Sequence, residues 1–340
     1  MTLRESARWE RGLMKIGLET ESCHLLFQHG RMNLFEFAEF AGQHGFDGVQ
    51  INVVPDFNLH PRWGVLESVT GEYLARVRAA IDRRGLYCEL DTRGSSLQEL
   101  VPALRVARAL GASVVRTYLR YPLGRFDEKF LESQAIEVRR VVPFLEKYQI
   151  RLAFENHEYE TSSEMITFIT LVGQPDWVGL LCDTGNSMMA WEDPITAVRA
   201  MAPHAFSTHF KDHMVINEGG TALVSGAALG RGNIDIDTAF QILSEHSAEL
   251  HVNLEMCFPY CTTFKRERGT GGVHNFDGAF AIAPSPFPPD LVKPTNYYSP
   301  HKASEEALEA LVQAQWEGLE HSIAVLKKLR DKYVTRKPKV

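Results

Sequence analysis

The 340-residue sequence predicts an α/β fold, a (β/α)8 or TIM barrel formed as a single domain over residues 1–340. Three observations carry that expectation. From about residue 14 a short β-prone run alternates with an amphipathic helix, and eight such cycles follow one another to the C-terminus. Polar N-caps and glycine stops recur around the helices. The stretches that exceed a minimal barrel all follow strands, on the face where barrels keep their sites.

The strands are expected at Lys15–Glu19, Gly48–Val53, Tyr87–Asp91, Ser113–Leu119, Arg151–Glu155, Val178–Asp183, Phe206–Lys211 and His251–Met256. Asn33 opens a helix that stops near Gly45, Thr70 one that stops at Gly85, and Ser95 or Ser96 one that stops at Gly111. A helix over Asp127–Gln149 carries Pro143, which predicts a kink or a break. Further helices are expected over Thr161–Gly173, Pro194–Met201 and Thr238–Leu243. The last runs from Ser304 to about Lys332, with Leu308, Leu311, Val312, Leu319, Ile323, Leu326 and Leu329 at helical spacing. Long loops are expected after strand two (Val54–Val69), strand seven (Met214–Ile234) and strand eight (Cys257–Pro300), with a flexible tail over 333–340. The third is an aromatic-rich insertion suited to an ordered lid, whose Phe258, Tyr260, Phe264, Phe276, Phe280, Phe287, Tyr297 and Tyr298 need the barrel mouth or a partner subunit to pack against.

Composition narrows the function classes. Hydrophobic residues at 44% and charged residues at 23% describe a globular chain with ample core. No apolar run reaches the length of a membrane span, and Met1–Leu13 lacks the apolar segment of a signal peptide, so a cytoplasmic protein without membrane association is expected. A net charge of -7 with scattered basic residues disfavours nucleic acid. Five cysteines without a CxxC argue against a disulfide framework or a zinc ribbon.

The chemistry concentrates at the ends of strands five to eight. Glu155, Asp183, His209 and Glu255 each close an apolar run, and side-chain alternation turns Glu155 with His157, His209 with Lys211 and Glu255 with Asn253 to one face. Three carboxylates and an imidazole brought together repel and are expensive to desolvate unless a cation neutralises them. That donor set suits Mn²⁺ first, with Mg²⁺, Co²⁺ or Fe²⁺ as alternatives.

His157 titrates near neutrality and would serve as a base; its other reading is a solvent-facing residue beyond the strand. Lys211 reads as a substrate contact or a structural ion pair, and Arg116 as an oxyanion contact or a counter-charge to Glu155. Glu19, Gln50, Asn52, Glu89 and Asp91 are candidates for sugar hydroxyls, and His24, His60, His213, His274 and His301 belong to the expected rim.

These four runs resemble the xylose-isomerase-like barrels, a family of sugar isomerases, ketose 3-epimerases, inosose dehydratases and the endonuclease IV group. Glu155, Asp183, His209 and Glu255 match that family's metal quartet, and Gly230-Arg231-Gly232-Asn233-Ile234-Asp235 matches its GxGxxD turn after strand seven. The resemblance implies a divalent metal and a keto-sugar substrate, with Glu155 and Glu255 as a proton-shuttling pair. The ketose epimerases carry a histidine three residues after the aspartate, where this chain has Asn186. Asn186, His157 and the aromatic insertion are similar to the catalytic α subunits of bacterial C-glycoside deglycosidases. That narrower likeness implies a lyase acting on an oxidised glycoside, a small β subunit as partner, and a higher oligomer. Epimerisation or isomerisation through the same enediolate is the alternative outcome, and a non-catalytic barrel subunit a lesser one.

Overall fold

The structure is a computed structural model that describes residues 14–53, 66–246, 250–288, 291 and 304–333. In chain order the elements are β1 (Lys15–Glu19), α1 (His24–Gln28), α2 (Leu34–Gln43), β2 (Gly48–Asn52), α3 (Gly71–Arg83), β3 (Tyr87–Asp91), α4 (Leu97–Leu110) and β4 (Val114–Thr117). They continue with α5 (Glu128–Arg139), α6 (Val142–Tyr148), β5 (Arg151–Glu155), α7 (Ser162–Val172), β6 (Val178–Asp183), α8 (Pro194–Met201) and β7 (Ala205–Phe210). The remainder comprises β8 (Asp212–Glu218), β9 (Thr221–Ala227), α9 (Ile236–His246), β10 (His251–Leu254), β11 (Cys261–Thr263), β12 (Ile282–Ala283) and α10 (Glu305–Tyr333). Among the described residues eight parallel strands close in the order β1-β10-β7-β6-β5-β4-β3-β2, the barrel that the periodicity predicts.

The helix starts follow the local chemistry. Asn33, Ser96 and Thr161 each accept a backbone N–H in the first turn while Glu36, Glu99 and Glu164 reach back, closing reciprocal caps worth about 1 kcal/mol apiece. Gly111 and Gly173 end α4 and α7 in the left-handed conformation. Of the kink or break expected at Pro143 the structure has the break: α5 ends at Arg139, and Pro143 stands in the first turn of α6. β2, β4, β7 and β10 stop one or two residues short of their expected ends, which leaves Lys211 and Glu255 just beyond the ladder, where the backbone turns over the mouth.

The stretch after strand seven departs from a loop. β8 and β9 form an antiparallel hairpin turned by Gly219 and Gly220, both at positive φ, and β11 and β12 extend it to a four-stranded sheet. The described rings of the aromatic insertion pack largely on Trp191, in the loop that follows β6. Phe264 stacks on Trp191 at 3.9 Å, Phe276 and Phe280 lie 5.4 and 5.5 Å from the same indole, and Phe258 packs on Phe287 at 5.4 Å. These rings bury apolar surface against the chain itself, so of the insertion's described aromatics Tyr260 alone lines the cavity at the barrel mouth. Tyr333, the first residue of the expected tail over 333–340, instead closes α10, where its hydroxyl donates to Asp237; residues 54–65, with His60, and Tyr297, Tyr298, His301 and 334–340 lie outside the described residues. No described helix is long and apolar enough to cross a membrane.

Candidate metal centre

β5, β6 and β7 end side by side, with Asp183 in register with His209, and Glu255 follows β10 directly. Glu155, Asp183, His209 and Glu255 are buried, and each offers a ligand atom within 4.8 Å of the others. His209 Nδ1 stands 3.0 Å from Glu155 Oε1, 3.0 Å from Glu255 Oε2 and 3.8 Å from Asp183 Oδ2. Asp183 Oδ2 and Glu255 Oε2 accept no hydrogen bond of regular geometry, although Lys211 Nζ stands 2.7 Å from the first and contacts the second. Asp183 Oδ1 is fixed by the backbone N–H groups of Gly185 and Asn186 at 2.8 and 2.7 Å, which aims its other oxygen at the cluster.

The electrostatics leave room for a cation. Four buried carboxylates, Asp91, Glu155, Asp183 and Glu255, face two permanent cations, Arg116 and Lys211, a formal deficit of two positive charges that a divalent ion matches. Burial by itself would lower His209, but Glu255 and Glu155 hold it well above the ordinary imidazole range. Burial raises the Asp183 carboxyl, Lys211 pulls it back, and Glu155 and Glu255 raise it again, to about 7. Three carboxylates converging on a shared imidazole nitrogen, in an all-oxygen-and-nitrogen donor set, fit a divalent metal held by these four residues.

Above the quartet opens a cavity of about 300 Å³. Arg116 crosses its floor, pairing with Asp91 and Glu155 at once, so Glu155 has a fixed counter-charge. Asn186 donates to Glu155 Oε1 at 3.1 Å, and Asn186, Lys211, Asn52 and Asp91 all line the cavity. His157 is half-buried and lines it too; its ring stacks on Tyr118 at 3.9 Å with the planes 12° apart. Burial lowers the His157 imidazole against the pull of Glu155 and Glu158, which favours the neutral ring.

Several expected contacts lie elsewhere. Glu19 is buried, accepts from Thr20 Oγ1 at 2.9 Å and does not line the cavity. Gln50 and Glu89 point into the barrel interior beneath the quartet, and neither lines the cavity. His24 and His213 are buried and His274 is exposed, and none of the three lines it. Tyr118, Arg93, Glu21 and Glu158 line it without having been expected to. For Tyr118 the signal was present, since it shares strand parity with Arg116.

A family model for xylose isomerase-like TIM barrels matches residues 38–271. A 3-oxo-isoapionate decarboxylase of Pectobacterium atrosepticum is 25% identical over 201 residues, 58% of this chain and 71% of that protein. The uncharacterised protein YihM of Escherichia coli is 26% identical over 232 residues, 67% of each chain. Among solved structures, the IolI protein with a bound zinc atom superposes with a TM-score of 0.63 at 14% identity, covering 95% of this chain and 100% of its own. D-psicose 3-epimerase of Clostridium cellulolyticum, solved with D-tagatose, gives 0.56 at 14% identity over 92% and 99%. With the barrel and the buried quartet described, the match over residues 38–271 makes this chain a member of the xylose isomerase-like TIM barrels.

Proposed function

We propose that this chain is a divalent-metal-dependent lyase that takes a proton from the carbon beside the carbonyl of a 3-oxo-sugar and expels the substituent β to that carbonyl. The carrying observation is the contrast between the cavity's bases. Glu155 is engaged by Arg116, His209 and Asn186, and Glu255 by His209 and Lys211, whereas the His157 imidazole stacks on Tyr118 with no hydrogen bond to a described side chain and touches the cavity as a neutral-leaning ring. A two-glutamate shuttle, as an epimerase needs, has no free partner here; a single histidine base suffices for elimination.

A metal bound by Glu155, Asp183, His209 and Glu255, with Mn²⁺ the first choice, supplies Lewis acidity that stabilises negative charge on the carbonyl oxygen. His157 removes the proton at C2 of a 3-oxo-glucoside. The electron pair forms the C1–C2 double bond as the C1–aglycone bond breaks, and the proton passes to the departing group. Asn186 and Lys211 hold the sugar oxygens, and Arg116 keeps Glu155 ionised and in place. An aromatic C-linked aglycone is the leaving group that the narrower likeness in His157 and Asn186 favours, with Tyr118 and Tyr260 as its wall and a small β subunit as partner.

A second reading has its own support. The relationship to a decarboxylase of a 3-oxo compound, with Arg93, Arg116 and Lys211 in the lining, favours loss of CO₂ from a 3-oxo-sugar acid through the same enolate. That route needs no base to begin. Incubation of the Mn²⁺-loaded protein, alone and with the companion subunit from its source, with a 3-oxo-C-glucoside should release free aglycone, and His157→Asn should lose at least about 100-fold of that rate. CO₂ release from a 3-oxo-sugar acid that survives His157→Asn selects the second reading. Conversion of a free ketose to its C3 epimer overturns both.

A further inference from the structure

The interior beneath the metal quartet is polar where a barrel is ordinarily filled by branched apolar side chains. Glu89 on β3 is fully buried, and its carboxylate accepts four hydrogen bonds: from Gln50 Nε2 at 3.0 Å, Ser207 Oγ at 2.6 Å, Asn253 Nδ2 at 2.9 Å and His251 Nδ1 at 2.6 Å. Burial raises this carboxyl, yet the His251 contact and the bonds from Ser207 and Gln50 bring it below the usual range, so it only accepts. Gln50 must therefore turn its NH₂ toward Glu89 and its carbonyl the other way. That carbonyl, Oε1, meets His209 Nε2.

An amide oxygen has no proton to give, so Nε2 of His209 must carry one. In the neutral ring the lone pair then belongs to Nδ1, the atom that lies 3.0 Å from both Glu155 Oε1 and Glu255 Oε2. A lone pair aimed at two carboxylate oxygens is repulsive alone and right for a shared cation. The tautomer of the ligand is thus decided two residues away. Close packing holds the arrangement: Tyr87 donates to Asn253 Oδ1 at 2.8 Å, and a Cβ on Gly17 would come 2.1 Å from both atoms, so Gly17 admits the pair.

We propose that Gln50 and Glu89 are positioning residues for His209: a buried carboxylate orients an amide, and the amide fixes the imidazole so that Nδ1 is the metal-binding nitrogen. This inference rests on the metal reading of the quartet. It is tested with the metal-free full chain, titrated with Co²⁺ against a competing chelator, with the melting temperature of each metal-free variant measured alongside. Gln50→Met keeps the side-chain length and removes the acceptor, so Co²⁺ affinity should fall about 10–100-fold. Gln50→Glu buries a second carboxylate beside Glu89 and should lower the melting temperature more than Gln50→Met, yet bind Co²⁺ within about 3-fold of wild type because it still accepts from Nε2. Structural packing alone predicts the reverse order.

Wild-type affinity in Gln50→Met, or affinities that follow the melting temperatures, overturns the inference. Absence of Co²⁺ binding by the wild type overturns the metal reading as well. A measurement on the unmutated protein guards against variants that do not fold. In the zinc-loaded chain with ¹⁵N-labelled histidine, the His209 ring should carry its proton on Nε2, and a proton on Nδ1 refutes the assignment.

Discussion

Glu160, in the loop between β5 and α7, offers a sharp test of the electrostatic argument away from the metal centre. The residue is 1% exposed, and neither of its carboxylate oxygens nor the neighbouring Tyr121 hydroxyl makes a hydrogen bond of regular geometry. Burial pushes its carboxyl from 4.5 up to about 8, with Tyr121 pulling it back and Glu164 adding a small rise. The folded protein therefore holds a proton that the unfolded chain has released. Stability from this group is complete below about pH 4.5 and drains away as pH rises to about 8. At 1.36 kcal/mol per pH unit the full difference is an upper bound near 5 kcal/mol, and water entry with local relaxation reduces it to roughly 2 kcal/mol. Glu160→Gln removes the titration while keeping the shape. Its melting curve should match wild type near pH 4.5 and lie higher by about 3 °C at pH 8, given an unfolding entropy of about 2.1 cal/mol/K per residue. Differential scanning calorimetry across that range checks it. Parallel pH profiles for the two proteins would falsify the assignment of a buried neutral carboxyl.

Other perturbations follow from the same physics. Arg116→Met strands Asp91 and Glu155 in the interior, so the metal-free protein should lose about 3–5 kcal/mol by chemical denaturation, with part of the loss recovered on adding Mn²⁺. Unchanged stability would mean that the pair is solvated. Asp183→Asn retains the acceptor for Gly185 and Asn186 but removes the charge, and Co²⁺ titration should show affinity at least about 100-fold weaker with little change in melting temperature. Trp191→Ala removes the ring on which Phe264, Phe276 and Phe280 pack; a loss of about 3–5 kcal/mol is expected, with proteolysis opening the segment after β10 first.

Local chemistry made much of the architecture readable. Asn33, Thr70, Ser96 and Thr161 announce helix starts because a polar side chain there satisfies backbone N–H groups whatever the rest of the chain does. The clustering of Glu155, Asp183, His209 and Glu255 was readable for a related reason. Each ends its own apolar run, and the two-residue period of a strand sets its face without knowledge of any neighbour. The hairpin β8–β9 had a legible signal as well, Gly219-Gly220 between β-prone runs, but the expectation of a barrel made that stretch read as a loop.

Other features depend on which strands become neighbours. Gln50 and Glu89 look like sugar contacts when only strand parity is known; that they instead meet His209, Ser207 and Asn253 follows from barrel closure, which brings β2 and β3 across the interior from β7 and β10. Trp191, from the loop after β6, collects aromatics from a segment about 80 residues later in the chain, so their inward packing could not be read from spacing. Short-range hydrogen bonding and strand parity are properties of a few consecutive residues, and the sequence by itself determined them: the barrel, its caps and the four residues of the buried cluster. Counter-charges, tautomers and the choice of which rings are buried are set by groups far apart in the chain and close in space, and only the tertiary structure decided those.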